Sequence, residues 1–308
     1  MPTKVPIGIF MTARTVVDRD EVKRWLDFIG VAEPGQILQM ADDGGVSDPA
    51  LNIALAGKRC YKSFEPGLNP NVTKIRKDYG EYFDNILKSG HGSVLEHSVY
   101  TFAIENVSRV FTGEMNRHRA GWAISEASMR FIRFGENIPY WEPDSIQGPD
   151  VLTEDWIRRV LLAMTQVPEL SPDDVARQDG FVLTLDGRKQ ITREVIRRAF
   201  HAQQVSYRKL ESIWADELAP TSKFAGKKQI TSMMRRIVGM GCATGGKWTG
   251  NIRALRHVIT MRAAPEAEEE MIHVFTRIAK MIRDREPHLF GDFEQDDGGY
   301  WRPKYVKV

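Results

Sequence analysis

The stretch from Asn116 to Arg133, NRHRAGWAISEASMRFIR, concentrates cations, short polar side chains and one carboxylate where no amphipathic period accounts for them. Arg117, His118 and Arg119 cannot all be buried without anionic partners, because an isolated cation in an apolar interior is prohibitively costly. Between Arg109 and Arg133 five arginines face two acids, Glu114 and Glu126, an excess suited either to phosphates or to a solvated basic face. Ser125, Ser128 and Arg130 read as one loop that offers hydroxyls, backbone N–H groups and a planar guanidinium fork to a phosphate.

Two other constellations carry less. In SGHGSVLEH, His91, Glu96 and His97 lack a further cluster at ligand spacing, so no metal site is expected. In GCATGGKW, Gly241, Gly246 and Lys247 have the spacing of a phosphate-binding loop. Trp248, however, stands where Ser or Thr must reach magnesium, and a helix rather than a strand is expected to precede it; the segment reads as a glycine-rich connection.

The elements that must position these residues follow from periodicity. Val22–Ile29 is a short amphipathic run inside an otherwise irregular N-terminal extension of about 50 residues. ALNIALAGKRCYKSF predicts a helix ending near Gly57, and the spacing from Val72 to Lys88 predicts another, stopped by Gly90. Ser98 to Val107 alternates like a half-buried strand. Ser108 then caps a short helix that delivers the chain into Arg117. The region of about 145–193 is polar and turn-rich and reads as an insertion, with a hairpin at Asp186-Gly187. Helices follow at Val195–Trp214, Ile230–Val238, Asn251–Ala263 and Pro265–Arg283, the last with Pro in its first turn, before a loop-like tail. The implied fold is α+β, a mixed sheet flanked by helices in a single domain of residues 1–308.

Composition bounds the function. A net charge of +2 over 308 residues is too mild for a nucleic-acid or membrane partner to be read from it. Cys60 and Cys242 are far apart in sequence, which fits a reducing compartment, the cytoplasm by default. Neither a signal peptide nor a membrane span is expected.

With these residues in view, RHRAGWAISEASMRF resembles the signature of flavin-dependent thymidylate synthases, RHRxxSxNExSxRY. ILKSGHGSVLEHSVYTFAI, AGKRCYKSF, MMRRIVG and NIRALRHVITMRA resemble further blocks of that family in the same order. The resemblance implies a homotetramer, with active sites shared between subunits, that uses FAD, NADPH and methylenetetrahydrofolate to methylate C5 of 2′-deoxyuridine 5′-monophosphate (dUMP). It assigns Ser93, Glu96, Arg117, His118, Arg119, Ser125, Glu126, Asn251 and Arg253 to the flavin, with Glu266 where a flavin-contacting His is often found. Glu114, Ser128, Met129, Arg130, Arg236 and Arg262 fall to the nucleotide substrate. Arg262, Ser128 and His91 take the catalytic places, His91 beside the folate. A flavin also removes the need for a cysteine nucleophile.

The sequence departs from the family at the substrate loop. Eight residues rather than seven separate RHR from Ser128, Ala123 replaces a Ser, Phe131 a Tyr, and Glu114 a Gln. A few pocket contacts switch specificity, so a relative acting on dUMP or dCMP and releasing a methyl or hydroxymethyl product is the alternative. A non-catalytic nucleic-acid-binding protein is the alternative from another class; it predicts steep salt dependence and no flavin.

Overall fold

The computed structural model describes residues 3–64, 76, 78–135 and 137–308. Strand β1 (Thr3–Lys4) is followed by β2 (Gly8–Arg14), so the N-terminal extension is not merely irregular: β2 adds an antiparallel edge strand to the main sheet. Helix α1 (Arg19–Phe28) starts where the Asp18 carboxylate accepts from the Glu21 amide; α2 (Pro34–Asp43) has Pro in its first turn. Helix α3 (Asp48–Tyr61), capped by Ser47, runs past Gly57, which sequence reading takes as its end. Gly57 is there for space, since a side chain would run into the Tyr82 hydroxyl, and the helix stops at Lys62 in a left-handed conformation. Helix α4 (Tyr79–Lys88) is capped by Asp78; residues 72–75 and 77 of the expected helix lie outside the described residues.

After a 3-10 turn (Gly92–His97) comes β3 (Val99–Ser108), whose Tyr100, Phe102 and Ile104 are buried as its alternation requires. Helix α5 (Arg109–Met115) begins where the Ser108 hydroxyl accepts from the Val110 amide. Strand β4 (Trp122–Glu126) holds Ser125, which therefore sits on a strand rather than in the expected loop. Strand β5 (Pro139–Tyr140) pairs in parallel with β1. The region read as turn-rich is helical, with α6 (Glu154–Gln166) capped by Thr153 and α7 (Pro172–Gln178) closed by a Ser171–Asp174 capping box.

The expected hairpin at Asp186-Gly187 is the first turn of the 29-residue helix α8 (Leu185–Ile213). The Thr184 hydroxyl accepts from the Gly187 amide and Asp186 complements the helix dipole, which together outweigh the Asp-Gly turn preference. Helix α9 (Phe224–Met234) runs into a 3-10 turn at Arg235–Ile237. The glycine-rich segment is mostly strand β6 (Ala243–Asn251), not a connection, and Trp248 is fully buried in it. Its glycines permit close approach, since a Cβ on Gly246 would strike the backbone of β4. Helix α10 (Ile252–Arg262) is capped by Asn251, and α11 (Glu269–Arg285) by Glu268, so Pro265 precedes that helix instead of opening it. The tail is not all loop: it contains α12 (Pro287–Phe290) and a hairpin of β7 (Phe293–Gln295) and β8 (Trp301–Pro303).

The main sheet has the order β2-β3-β6-β4, and helices make up most of the remainder, a mixed α+β architecture. The chain forms two compact units. One comprises the chain up to Pro6, Asn106–Val110 and Ala127–Thr244; the other comprises Ile7–Glu105, Phe111–Glu126 and Gly245–Val308. In the first, Ile138, Tyr140, Phe200 and Cys242 form one apolar cluster, and Ile157, Ala176, Leu183 and Ile191 another. In the second, Phe111 packs edge-on to Trp248 and face to face with Phe275. The buried Arg256 is held there by both carboxylate oxygens of Asp292, at 2.7 and 2.8 Å, and lies over Phe293. Among the described residues no helix is long and apolar enough to cross a membrane, and no group of three or more His, Cys, Asp and Glu could hold a metal.

Candidate active site

The Arg117–Arg119 turn is formed because α5 ends at Met115 and Gly121, at φ +74°, reverses the chain into β4. A Cβ on Gly121 would collide with Asn251 Nδ2 and Ala254, so only glycine lets the turn lie against the start of α10. The Asn251 amide donates to the Gly121 carbonyl at 3.0 Å, fastening the two segments. The Asn251 side-chain oxygen is occupied as a cap, accepting from the Ala254 amide at 2.8 Å.

On α10, Arg253 reaches back to the 3-10 turn and pairs with Glu96 at 2.6 Å. Ser93, in that turn, is exposed. Glu126 accepts from Asn116 Nδ2 at 3.1 Å, while Asn116 Oδ1 is buried without a partner. Arg117 and Arg119 are exposed, as is Ser125. The second unit thus brings the residues assigned to the flavin, except Glu266, into one connected region. Glu266 is exposed in the turn before α11, and its charge favours the protonated Arg302 guanidinium.

The donor set fits a dinucleotide. Two exposed guanidiniums and two exposed hydroxyls match phosphate oxygens, and the orphaned Asn116 oxygen is an acceptor awaiting a donor.

At the C-terminal end of α10, Arg262 lies between two residues of the opposite segment. It donates from Nε to His118 Nε2 at 2.9 Å, and its Nη2 pairs with Glu114 at 3.1 Å. Glu114 also faces Arg117 at 3.7 Å, so this carboxylate is shared by two guanidiniums. Burial, then the Arg262 charge and His257, holds the His118 imidazole below its ordinary range. His257, edge-on to His118 at 6.4 Å, is a member of this cluster that sequence reading passed over. Its signal was its place on α10 between Arg253 and Arg262. His91 stacks on Tyr61, whose hydroxyl lies 2.8 Å from Nε2.

Ser128, Met129, Arg130 and Arg236 belong to the first unit. There a cleft of about 510 Å³ brings Arg130 together with Arg236, although 105 residues of chain lie between them. Lys228, Gln229, Ser232 and Met233 complete most of the lining. Lys228 was missed, yet Lys228, Ser232 and Arg236 recur at four-residue steps, the signature of one helix face. The Ser128 hydroxyl accepts from the Arg130 amide at 3.4 Å, and Met129 is half-buried beside it.

A family model described as thymidylate synthase complementing protein matches residues 45–288 of this chain. The flavin-dependent thymidylate synthase of Mycobacteroides abscessus is 31% identical over 295 residues, covering 94% of this chain and 91% of the relative. The chain belongs to the flavin-dependent thymidylate synthase family.

The flavin-dependent thymidylate synthase of Corynebacterium aurimucosum is 26% identical over 251 residues, 82% of each chain. Among solved structures, the UMP/dUMP methylase PolB from Streptomyces cacaoi, bound with 5-Br UMP, aligns with a TM-score of 0.55 at 14% identity. The alignment covers 94% of this chain and 96% of PolB, and this likeness shows the fold. A flavin-dependent thymidylate synthase does not require a protein thiol nucleophile, and Cys242 is ill suited to be one: it is buried, and burial pushes its thiol up to about 12.

Proposed function

We propose that this enzyme transfers a one-carbon unit from methylenetetrahydrofolate to C5 of dUMP, giving dTMP, with FAD as cofactor and NADPH as reductant. The observation that carries this reading is the cleft that joins Arg130 to Arg236. Two guanidiniums distant in sequence and facing one space are suited to a phosphate dianion.

Arg117 and Arg119, with Ser93 and Ser125, hold the phosphates of the flavin nucleotide, which supplies the redox chemistry when bound. Arg262 polarises a pyrimidine carbonyl, where negative charge develops as C5 becomes nucleophilic; a fixed cation at such a place is usually a large catalytic factor. Glu114 and His118 aim that guanidinium. Ser128 and Met129 shape the nucleotide site beside Arg130, and His91, steadied by Tyr61, orients the folate. Glu114 serves Arg262 and Arg117 as counter-ion, which accounts for a carboxylate near an anionic substrate.

The chain works as one functional domain in a cytoplasmic homotetramer whose active sites are shared between subunits. The extension of about 50 residues and the 145–193 insertion are additions to it. The test is to incubate purified protein with labelled methylenetetrahydrofolate, NADPH and, in turn, dUMP, UMP and dCMP, and to weigh the products. A mass gain of one CH2, the C5 hydrogen exchanged for methyl, is expected on dUMP. Methylation confined to UMP or dCMP, or a hydroxymethyl product, would replace the substrate or product named here.

A further inference from the structure

The turn at 130–133 and the start of α9 enclose another cleft, of about 440 Å³, whose lining combines aromatic rings with cations. Phe131 and Phe224 stack with ring centroids 5.8 Å apart and planes 9° apart, yet remain 53% and 68% exposed. Lys228 Nζ lies 5.2 Å from the Phe131 centroid. Two of the surrounding cations are held by the scaffold: Lys227 donates to the Pro220 carbonyl at 2.7 Å, and Arg133 donates to the Leu218 carbonyl and faces Glu211 at 3.9 Å. Arg130 and Lys228 line both this cleft and the Arg236 cleft. Among the described residues, no Asp or Glu lines either one.

A parallel aromatic pair left in water beside cations without lining carboxylates is complementary to one kind of ligand, a flat ring system that carries an anion. Stacking tolerates any base because every base has a π-face, and a guanidinium and an ammonium together neutralise a phosphomonoester. We propose that this cleft binds a second nucleotide, its base stacked on the Phe131–Phe224 pair and its phosphate held by Lys228 and Arg130. The inference rests on the reading that dUMP places its phosphate between Arg130 and Arg236. Two sources share the required chemistry: the adenosine 2′,5′-bisphosphate end of NADPH and a further pyrimidine nucleotide.

The test is calorimetric titration of the flavin-loaded full chain. It is first given one equivalent of dUMP per chain, then titrated with adenosine 2′,5′-bisphosphate and, separately, with additional dUMP. Saturable binding of one of the two is expected beyond the first dUMP equivalent. Which one binds identifies the source. Phe224→Ala and Lys228→Gln should each weaken that second event about tenfold. The Phe224 ring is exposed, so Phe224→Ala should not move the melting temperature, and it should leave the first dUMP event in place. Wild-type affinity for the second ligand in Phe224→Ala, or no saturable second event with either probe, overturns the proposal. Failure of the dUMP reading registers separately, as the absence of the first event.

Discussion

Arg262 donates from Nε to His118 Nε2 at 2.9 Å, so Nε2 is the acceptor and the proton of the neutral imidazole resides on Nδ1. The imidazole and the Glu114 carboxylate grip one guanidinium from two sides. His118→Ala removes one grip, and kcat should fall about tenfold to a hundredfold while the dUMP dissociation constant changes much less. His118→Gln, which retains an acceptor, should recover most of the loss. An equal fall for both variants would show that the imidazole acts other than by aiming Arg262.

The pH dependence of the same residue has a definite sign. Burial first, then the Arg262 and His257 charges, holds the folded pKa below the ordinary 6.5. Between the folded value and 6.5 the unfolded chain binds a proton that the folded chain refuses. This contribution to stability is therefore present above 6.5 and lost as pH falls through the folded pKa. Thermal melts across that window should show a shallower acid fall for His118→Gln than for the wild type.

Glu114→Ala leaves Arg262 and Arg117 without their shared carboxylate, and kcat should fall about tenfold from lost positioning. Glu114→Gln keeps an oxygen that accepts from Arg262 while removing a negative charge near the substrate, so it should restore kcat and tighten dUMP. Steady-state kinetics and dUMP titration separate the two effects. Weaker dUMP binding in Glu114→Gln would mean that the charge itself serves recognition.

Where local chemistry and tertiary structure agreed, the fold was legible. Strand β3 was readable from the alternation of Tyr100, Phe102 and Ile104, and α10 lies within the expected Asn251–Ala263. Errors fell where a local preference was overruled. Asp186-Gly187 resembles a hairpin turn until Thr184 caps the amide of Gly187; Gly241–Trp248 resembles a loop until the approach of β4 requires its glycines. The candidate site was readable as residue types, because RHR demands anions. Long-range partners such as Glu96 for Arg253 were not, since 157 residues separate them.

Cysteine chemistry should be dispensable. Cys242 sits among Ile138, Tyr140 and Phe200 with its thiol pushed up to about 12, so it is protonated at neutral pH. A Cys60→Ser, Cys242→Ala variant should form dTMP within about twofold of the wild-type rate. It should also lose about 1 kcal/mol of stability from the small void at position 242. Product formation and a denaturant titration check the two halves. Loss of turnover with the flavin still bound would return a thiol to the mechanism.

Glu286 carries a pH dependence of the opposite sign. Its buried carboxyl accepts from the Ser47 and Tyr100 hydroxyls, two bonds that favour the ionised form, yet burial dominates and raises its pKa above the ordinary 4.5. Here the folded chain binds a proton that the unfolded chain releases. The stabilising contribution is full below 4.5 and is lost as pH rises through the folded pKa. Glu286→Gln keeps an oxygen that accepts from one of the two hydroxyls, its NH2 group donating to the other, and carries no charge to desolvate. Its melting temperature relative to wild type should therefore climb as pH rises across that window and level off above it. Glu286→Leu, which removes the acceptor of both hydroxyl protons, should instead cost about 1–3 kcal/mol at every pH. A constant difference between Glu286→Gln and wild type across the titration would show that burial does not raise this pKa.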